Sequence, residues 1–485
     1  VEYHCTILKL LIRRDEGQQT SSPYKTKEMK VLKAFLLILT VSIQIAFSQT
    51  KPNIVLIIAD DLGRNDLGCY GNKFIETPHI NRLASKSILF KNAYSAAPVC
   101  SPTRASILTG QYPARLGLTN FIDGKKTDDR SPVLPAHYIN YLPYAVQTLP
   151  EYLKKEGYQT ALIGKWHLGE NTQPALSYPG KNGFDKVAHY DYGLIPENNS
   201  YVWIKGVDST GNRYRLPQIT QMITKDAVSY LDTVGKTPFF LMLTHYNPHL
   251  PLQPQEHLKD KYQKKYNPYG KDINPLYAAM VEELDQNIGL VWSKLKQKGL
   301  LKNTIVIFLS DNGGVVTDEA GDLKPTTSAP LRNGKGTLYE GGIRIPLLIY
   351  HPSQKKGCVS NTLVSTVDYL PTLLDWTNST KPTFTVDGTS FAEIIENPDL
   401  IRSQPQFFHY PHFSNQGGRP TSAIRLNDFK LIQSLEDSSV QLFNLKSDES
   451  ETKDISAQEP LITQKMLNLL NQWRFQVKAT MPTKK

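Results

Sequence analysis

Six consecutive apolar side chains, Ile54 to Ala59, follow Asn53 and stop at two adjacent carboxylates, Asp60 and Asp61. A run without polar alternation is expected for a strand buried on both faces, which needs helices above and below it. The arrangement repeats along the chain. Thr160 to Gly164 ends in Lys165-Trp166-His167, and Phe239 to Thr244 leads to His245-Tyr246-Asn247-Pro248-His249. Thr304 to Leu309 ends in Ser310-Asp311-Asn312-Gly313-Gly314, and Pro346 to Tyr350 reads as a fifth strand. Between them, Leu276 to Lys298 carries apolar residues at helical spacing. Strands alternating with helices predict an α/β fold: a large, mostly parallel (mixed) sheet flanked by helices. Ligands of such sheets bind beyond the carboxyl ends of the strands, and every polar cluster named here stands at such an end.

Asp60, Asp61, Asp311 and Asn312 bring four oxygen-bearing side chains from two strand ends, a set suited to a hard divalent cation. Read singly they are also ordinary turn and cap residues. Cys100-Ser101-Pro102-Thr103-Arg104 opens a helix-compatible run, with Pro102 suited to the first helical position. Cys100 then stands at a helix N-terminus, where free N–H groups favour an anion, and Arg104 lies one turn away. Lys165 and His167, two apart at a strand end, can face the same way.

The stretch Cys100 to Gly110 resembles the signature of the type I sulfatases, arylsulfatase A-like members of the alkaline phosphatase superfamily. Gly164-Lys165-Trp166-His167-Leu168-Gly169 resembles the second signature of that family. Asn247-Pro248-His249-Leu250-Pro251 and the stretch Arg332 to Gly342, which carries Lys335, match further family segments in the same order. The resemblance runs from about Lys51 to Asp448. It implies that Cys100 is oxidised to formylglycine by a formylglycine-generating enzyme, and that its hydrate is the nucleophile. It further implies that Asp60, Asp61, Asp311 and Asn312 bind calcium together with residue 100. Arg104 and Lys165 then hold the diol and sulfate charges, His167 relays a proton, and His249 and Lys335 stabilise or protonate the leaving oxygen. One further sulfate-contacting residue, between His167 and His249, has no motif to mark it.

The resemblance thus implies a sulfuric ester hydrolase. Alternatives are a phosphodiesterase or phosphonate hydrolase of the same superfamily, and a non-catalytic calcium-binding carbohydrate module. None of the readable catalytic residues is missing, which argues against the module. A formal net charge of +10 suits acidic substrates. No dense Lys/Arg tract interleaved with aromatics is present, so nucleic acid is not an expected partner. The resemblance, which Pro113 to Thr119 also carries, implies a sulfated polysaccharide or oligosaccharide of galactose or N-acetylgalactosamine type as substrate. The loop His409 to Pro420 gathers aromatics, two His, two Gly and Arg419. His412 and Arg419 are candidate saccharide contacts there; the other reading is a seam docking the C-terminal subdomain.

Met29-Lys30-Val31-Leu32-Lys33, the apolar run Ala34 to Phe47 and Ala46-Phe47-Ser48 read as a signal peptide over 29–48. Residues 1–28 read as upstream, non-native sequence, and the mature protein is expected to be periplasmic or secreted without a membrane span. Four cysteines, Cys5, Cys69, Cys100 and Cys358, fit neither a zinc site nor a disulfide framework. The catalytic domain is expected over 49–395. Short strands from about Gln404 and a terminal helix from about Glu459 to Val477 mark a C-terminal subdomain over 396–485, for which the resemblance implies an α+β fold with a short antiparallel sheet carrying a helix.

Overall fold

The computed structural model describes residues 51–122, 124, 126–169, 178–189, 216–318, 324–354 and 356–485. The signal peptide assigned to 29–48 lies outside these residues. Eight strands form the main sheet: β1 (Asn53–Ala59), β2 (Ile88–Tyr94), β3 (Gln159–Gly164), β4 (Lys186–His189), β5 (Phe239–Thr244), β6 (Thr304–Ser310), β7 (Leu347–Tyr350) and β8 (Cys358–Ser365). Their order is β4-β3-β5-β1-β6-β7-β2-β8. All neighbours run parallel except β7, which is antiparallel to both β6 and β2. The sheet is therefore mixed, as the apolar runs predict.

Alternate residues of β1 feed two separate cores. Val55 and Ile57 pack with residues of the helices α1 (Pro78–Ala84), α4 (Leu216–Thr233), α5 (Glu256–Lys264) and α6 (Pro275–Gln297). Ile54, Leu56 and Ile58 pack on the other face with α2 (Cys100–Thr109), α3 (Leu149–Lys155) and α7 (Tyr369–Trp376). Among the described residues no helix is long and apolar enough to cross a membrane.

Three strands escape the apolar-run criterion. In β2 the run is broken by exposed Lys91 and half-buried Asn92, and β8 is largely exposed and mixed polar and apolar over its first half. β4 is short and sits at the sheet edge. The helix α2 also begins earlier than its proline suggests. Val99 is its N-cap and Cys100 its first residue, so Pro102 is third. Pro102 still lies within the first turn, where no intrahelical partner for its nitrogen is required.

A second sheet, β9 (Gln406–Tyr410), β10 (Thr421–Leu426), β11 (Phe429–Ser434) and β12 (Val440–Asn444), is antiparallel throughout. One face packs Phe408, Tyr410, Ala423 and Ile432 against Tyr94, Val99 and Leu338. The other packs Ile424, Leu431 and Leu442 against Met466, Leu470 and Trp473 of α8 (Pro460–Gln476). This is the short sheet carrying a helix that the family resemblance implies for the C-terminal subdomain.

Asp285 on α6 caps another helix from outside. Its carboxylate accepts from the backbone N–H groups of His79 at 3.1 Å and Ile80 at 2.7 Å, in the first turn of α1. Burial pushes its carboxyl up to about 7 against those two donors. A carboxyl that titrates higher folded than unfolded contributes stability that is complete below its unfolded pKa and lost as pH rises through about 7. The difference in melting temperature between Asp285→Asn and the wild type should therefore shift in the variant's favour from pH 5 to pH 8, as measured by calorimetry across the interval.

Candidate active site

β3, β5, β1 and β6 are neighbours, run in the same direction and end together. Their ends deliver Lys165 and His167, His249, Asp60 and Asp61, and Asp311 and Asn312, respectively. Cys100 and Arg104 come from the first turn and a half of α2, and Lys335 from the loop after β6. The backbone is specialised at these ends: Asp61 has φ 63° and His167 φ 57°. Gly164, at φ 112°, has no room for a side chain, because a Cβ would lie 1.9 Å from the carbonyl oxygen of Thr244. Lys165 thereby leaves β3 tight against β5.

The carboxylates are gripped from several sides. Lys165 Nζ is 2.5 Å from Asp60 Oδ2, and Lys335 Nζ is 2.6 Å from Asp61 Oδ2. Arg104 holds Asp311 through Nε at 2.9 Å and a second nitrogen at 2.8 Å, and donates to the carbonyl of Lys165 at 3.1 Å. Asn312 Nδ2 donates to Asp61 Oδ1 at 2.8 Å. Cys100 Sγ lies 3.3 Å from Asp60 Oδ1 and 3.9 Å from Asp61 Oδ1. His249 Nε2 is 3.5 Å from Asp61 Oδ2, and its Nδ1 pairs with the carbonyl of Leu250 at 2.6 Å. The structure thus brings together Cys100, Arg104, Lys165, His249, Lys335, Asp60, Asp61, Asp311 and Asn312. His167 stands beside them, two residues beyond Lys165.

Burial alone would raise Asp60, but Lys165, His249, Arg104 and Lys335 together hold it well below the usual carboxylate range. Asp311 goes the other way, up to about 7, because burial and the Asp60 charge outweigh Arg104. Burial works against the charge on Lys335, yet Asp61 keeps it firmly protonated. Burial, reinforced by Lys165 and Arg104, pushes His167 well below its ordinary value, so its ring is neutral. Burial and Asp60 push the Cys100 thiol well up, so the unmodified thiol is a poor nucleophile here.

Asp60, Asp61, Cys100 and His249 offer ligand atoms within 4.8 Å of one another. Asn312 Oδ1, fully buried, has no hydrogen-bond partner among the described residues. An unpaired carbonyl oxygen beside clustered carboxylates fits a hard cation that prefers oxygen. His167 keeps Nδ1 without a hydrogen-bond partner among the described residues, which suits a proton in transit.

Sequence reasoning missed the residues that hold the Lys335 loop. Glu340 and Glu451 are buried and meet at Lys430 Nζ on β11, at 2.9 and 2.8 Å. Glu340 also accepts from Tyr94 at 2.6 Å, and Glu451 accepts from the Glu340 backbone N–H at 2.7 Å. A Lys in a short antiparallel strand carries no signal of such a role. His412 is buried, 2.8 Å from Thr119 Oγ1, with its ring edge-on to Tyr138 and Tyr410. Arg419 pairs with Glu436 at 2.5 Å and Asp128 at 3.1 Å.

Two family models match the chain: Sulfatase over residues 52–379, and N-sulphoglucosamine sulphohydrolase, C-terminal, over residues 333–476. A sulfatase of Formosa agariphila is 32% identical, over 94% of this chain and 96% of its own length. The N-acetylgalactosamine-6-sulfatase of Rattus norvegicus is 30% identical, over 78% of this chain and 71% of its own. Among solved structures, Ps i-CgsB in complex with k-i-k-neocarrahexaose superimposes with a TM-score of 0.72 at 29% identity. The likeness covers 87% of this chain and 92% of that one.

Lys430→Met removes the cation shared by two buried carboxylates. It should destabilise the protein by about 3–5 kcal/mol, read from chemical denaturation. Lys430→Arg, which keeps the charge, should lose less.

Proposed function

The chain belongs to the sulfatase family and is a sulfuric ester hydrolase, and from that premise we propose that it removes O-sulfate from galactose- or N-acetylgalactosamine-type saccharides. The observation that carries the reaction is Cys100 at the head of α2, held against Asp60 and Asp61 and ringed by Arg104, Lys165 and Lys335. Cys100 Sγ stands in for the oxygens of a hydrated aldehyde. When present, formylglycine at position 100 supplies the nucleophile, and calcium held by Asp60, Asp61, Asp311, Asn312 and residue 100 supplies positive charge to the sulfate oxygens.

The remaining work falls to the protein's own groups. Arg104 and Lys165 hold negative charge on the sulfate and on residue 100. Lys335, kept protonated by Asp61, donates to the leaving alcohol oxygen. His249 turns Nε2 toward the site because Nδ1 is engaged by Leu250, and so orients that oxygen. His167, neutral and with Nδ1 unpartnered among the described residues, accepts the proton released at residue 100 as sulfate departs. The additional sulfate contact expected between His167 and His249 is not assigned; much of that stretch lies outside the described residues.

A cleft of about 430 Å³ is lined by Asn120, Lys126, His137, Tyr138, Asn140 and His412 among others. Its residue Asn120 accepts from Tyr410 at 3.1 Å and, two residues on, the Ile122 backbone donates to Ser101 on α2 at 3.2 Å. Its size suits a sugar, and His412 forms part of its wall. The contacts of Arg419 support the seam reading for that residue instead. The names of the relatives support the saccharide class: one is named N-acetylgalactosamine-6-sulfatase, and one was solved in complex with k-i-k-neocarrahexaose. The stretch 29–48, read as a signal peptide, supports export to the periplasm or beyond. Maturation then requires a formylglycine-generating enzyme as a partner.

Peptide mass spectrometry on active enzyme should find the aldehyde in place of the Cys100 thiol, and full activity with only the thiol would refute the mechanism. Cys100→Ala should lower turnover by more than roughly a thousandfold with the fold intact. Asp311→Ala should lower activity in a way that added calcium restores only in part. Parallel assays with sulfate monoesters and phosphodiesters discriminate the phosphodiesterase alternative. Lys126→Ala and Asn140→Ala should weaken hydrolysis of a sulfated saccharide at least several-fold while sparing a small aryl sulfate. Equal losses on both would assign the cleft to structure alone.

A further inference from the structure

A second cavity, of about 390 Å³, contains none of the catalytic residues. Its wall carries three cationic side chains, Arg64, Lys91 and Arg344, beside Tyr70, Tyr269 and the exposed Glu449. Arg64 lies over the Tyr70 ring at 4.7 Å and donates from one terminal nitrogen to Asn65 Oδ1 at 2.8 Å. Its Nε is buried and has no partner among the described residues. A buried donor left unpaired is costly, so the arrangement calls for an acceptor that the described residues do not supply.

The neighbouring charges point to an anionic acceptor. Arg344 is spent on its own scaffold: Nε donates to the Lys91 carbonyl at 2.8 Å and a terminal nitrogen to Asn92 Oδ1 at 2.9 Å. Its other terminal nitrogen is 3.5 Å from both Glu340 and Glu449. Glu340 is already claimed by Lys430, and Glu449 is half in solvent. Burial and the like charge of Arg344 both disfavour the charged form of Arg64. A negative group between them relieves that repulsion and accepts from Nε at once.

We propose that this cavity binds an oxyanion, a tetrahedral sulfate or phosphate group, through Arg64, with the charges of Arg344 and Lys91 beside it. A planar guanidinium presented over an aromatic ring suits such a group better than an ammonium does. The oxyanion has two sources, free inorganic anion and a second acidic group on a bound saccharide chain. The site rests on the cationic cavity alone and stands whether or not the catalytic reading holds.

The test is calorimetric titration of the full protein with sodium sulfate against sodium chloride at matched ionic strength. Wild type is expected to bind sulfate at two sites, the catalytic one and this one. Arg64→Gln should lose one site and keep the other, with its melting temperature in chloride unchanged. Should that variant not fold, Lys91→Gln on the exposed rim should weaken the same site several-fold. The source is assigned by kinetics of the variants. A rise in KM of at least fivefold for a sulfated polysaccharide but not for a small aryl sulfate identifies a chain anchor. Unchanged KM for both, with the sulfate site lost, identifies a free-anion site. Sulfate binding that Arg64→Gln and Lys91→Gln both leave at wild-type stoichiometry and affinity overturns the proposal.

Discussion

Three buried carboxylates, Asp60, Asp61 and Asp311, meet three cations, Arg104, Lys165 and Lys335, where the central strands end. Each charge alone would be prohibitive at that depth, so the arrangement exists only if every strand arrives in register. Parallel pairing of β1 with both β5 and β6 supplies that register, placing Ala59 opposite Ser310 and so Asp60 beside Asp311. The excess of charge is deliberate in its geometry. Asp311 is pushed up while Asp60 is held down, so the cluster is balanced without being inert. A site meant only to stabilise the fold would gain more from apolar side chains of similar volume.

The second sheet is part of this balance. Lys335 lies in a loop whose later residue Glu340 is anchored by Lys430 on β11 and by Tyr94 on β2. Gly336, at φ 81°, packs against Ser414 and Gln416, and Gly418 against the Gly336 carbonyl. The loop that positions Lys335 therefore has the main sheet on one side and the second sheet on the other. Truncation of the chain before β9 would remove one wall of the catalytic centre.

How much of this was legible differs by residue for physical reasons. β1, β3, β5 and β6 are buried on both faces, so their sequence is dictated by the core and reads directly. The polar residues that follow them read as a site because nothing in the core tolerates them otherwise. β2 escapes because Lys91 and Asn92 interrupt it, and these are the residues that face the second cavity and Arg344. Pro102 misplaced the start of α2 by two residues, since a proline is tolerated throughout the first turn. Lys430 and Glu451 were not legible, because a buried salt bridge between distant segments leaves no local pattern. His412 read as a polar group available to a ligand, yet Thr119 and two aromatic rings enclose it.

The same contrast separates the two cationic regions. At the strand ends, every cation has a carboxylate within hydrogen-bonding distance, so an arriving sulfate must compete for groups already paired. Such competition favours an ester in which charge develops during reaction over one that merely sits there. Around Arg64 the cations outnumber their acids and one donor is unpaired among the described residues, an arrangement that rewards binding without transformation. Paired charge with a nucleophile at its centre performs chemistry; unpaired charge over an aromatic ring recognises an anion. One chain carries both because the Asp60–Asp61 end of β1 leads, three residues later, to Arg64.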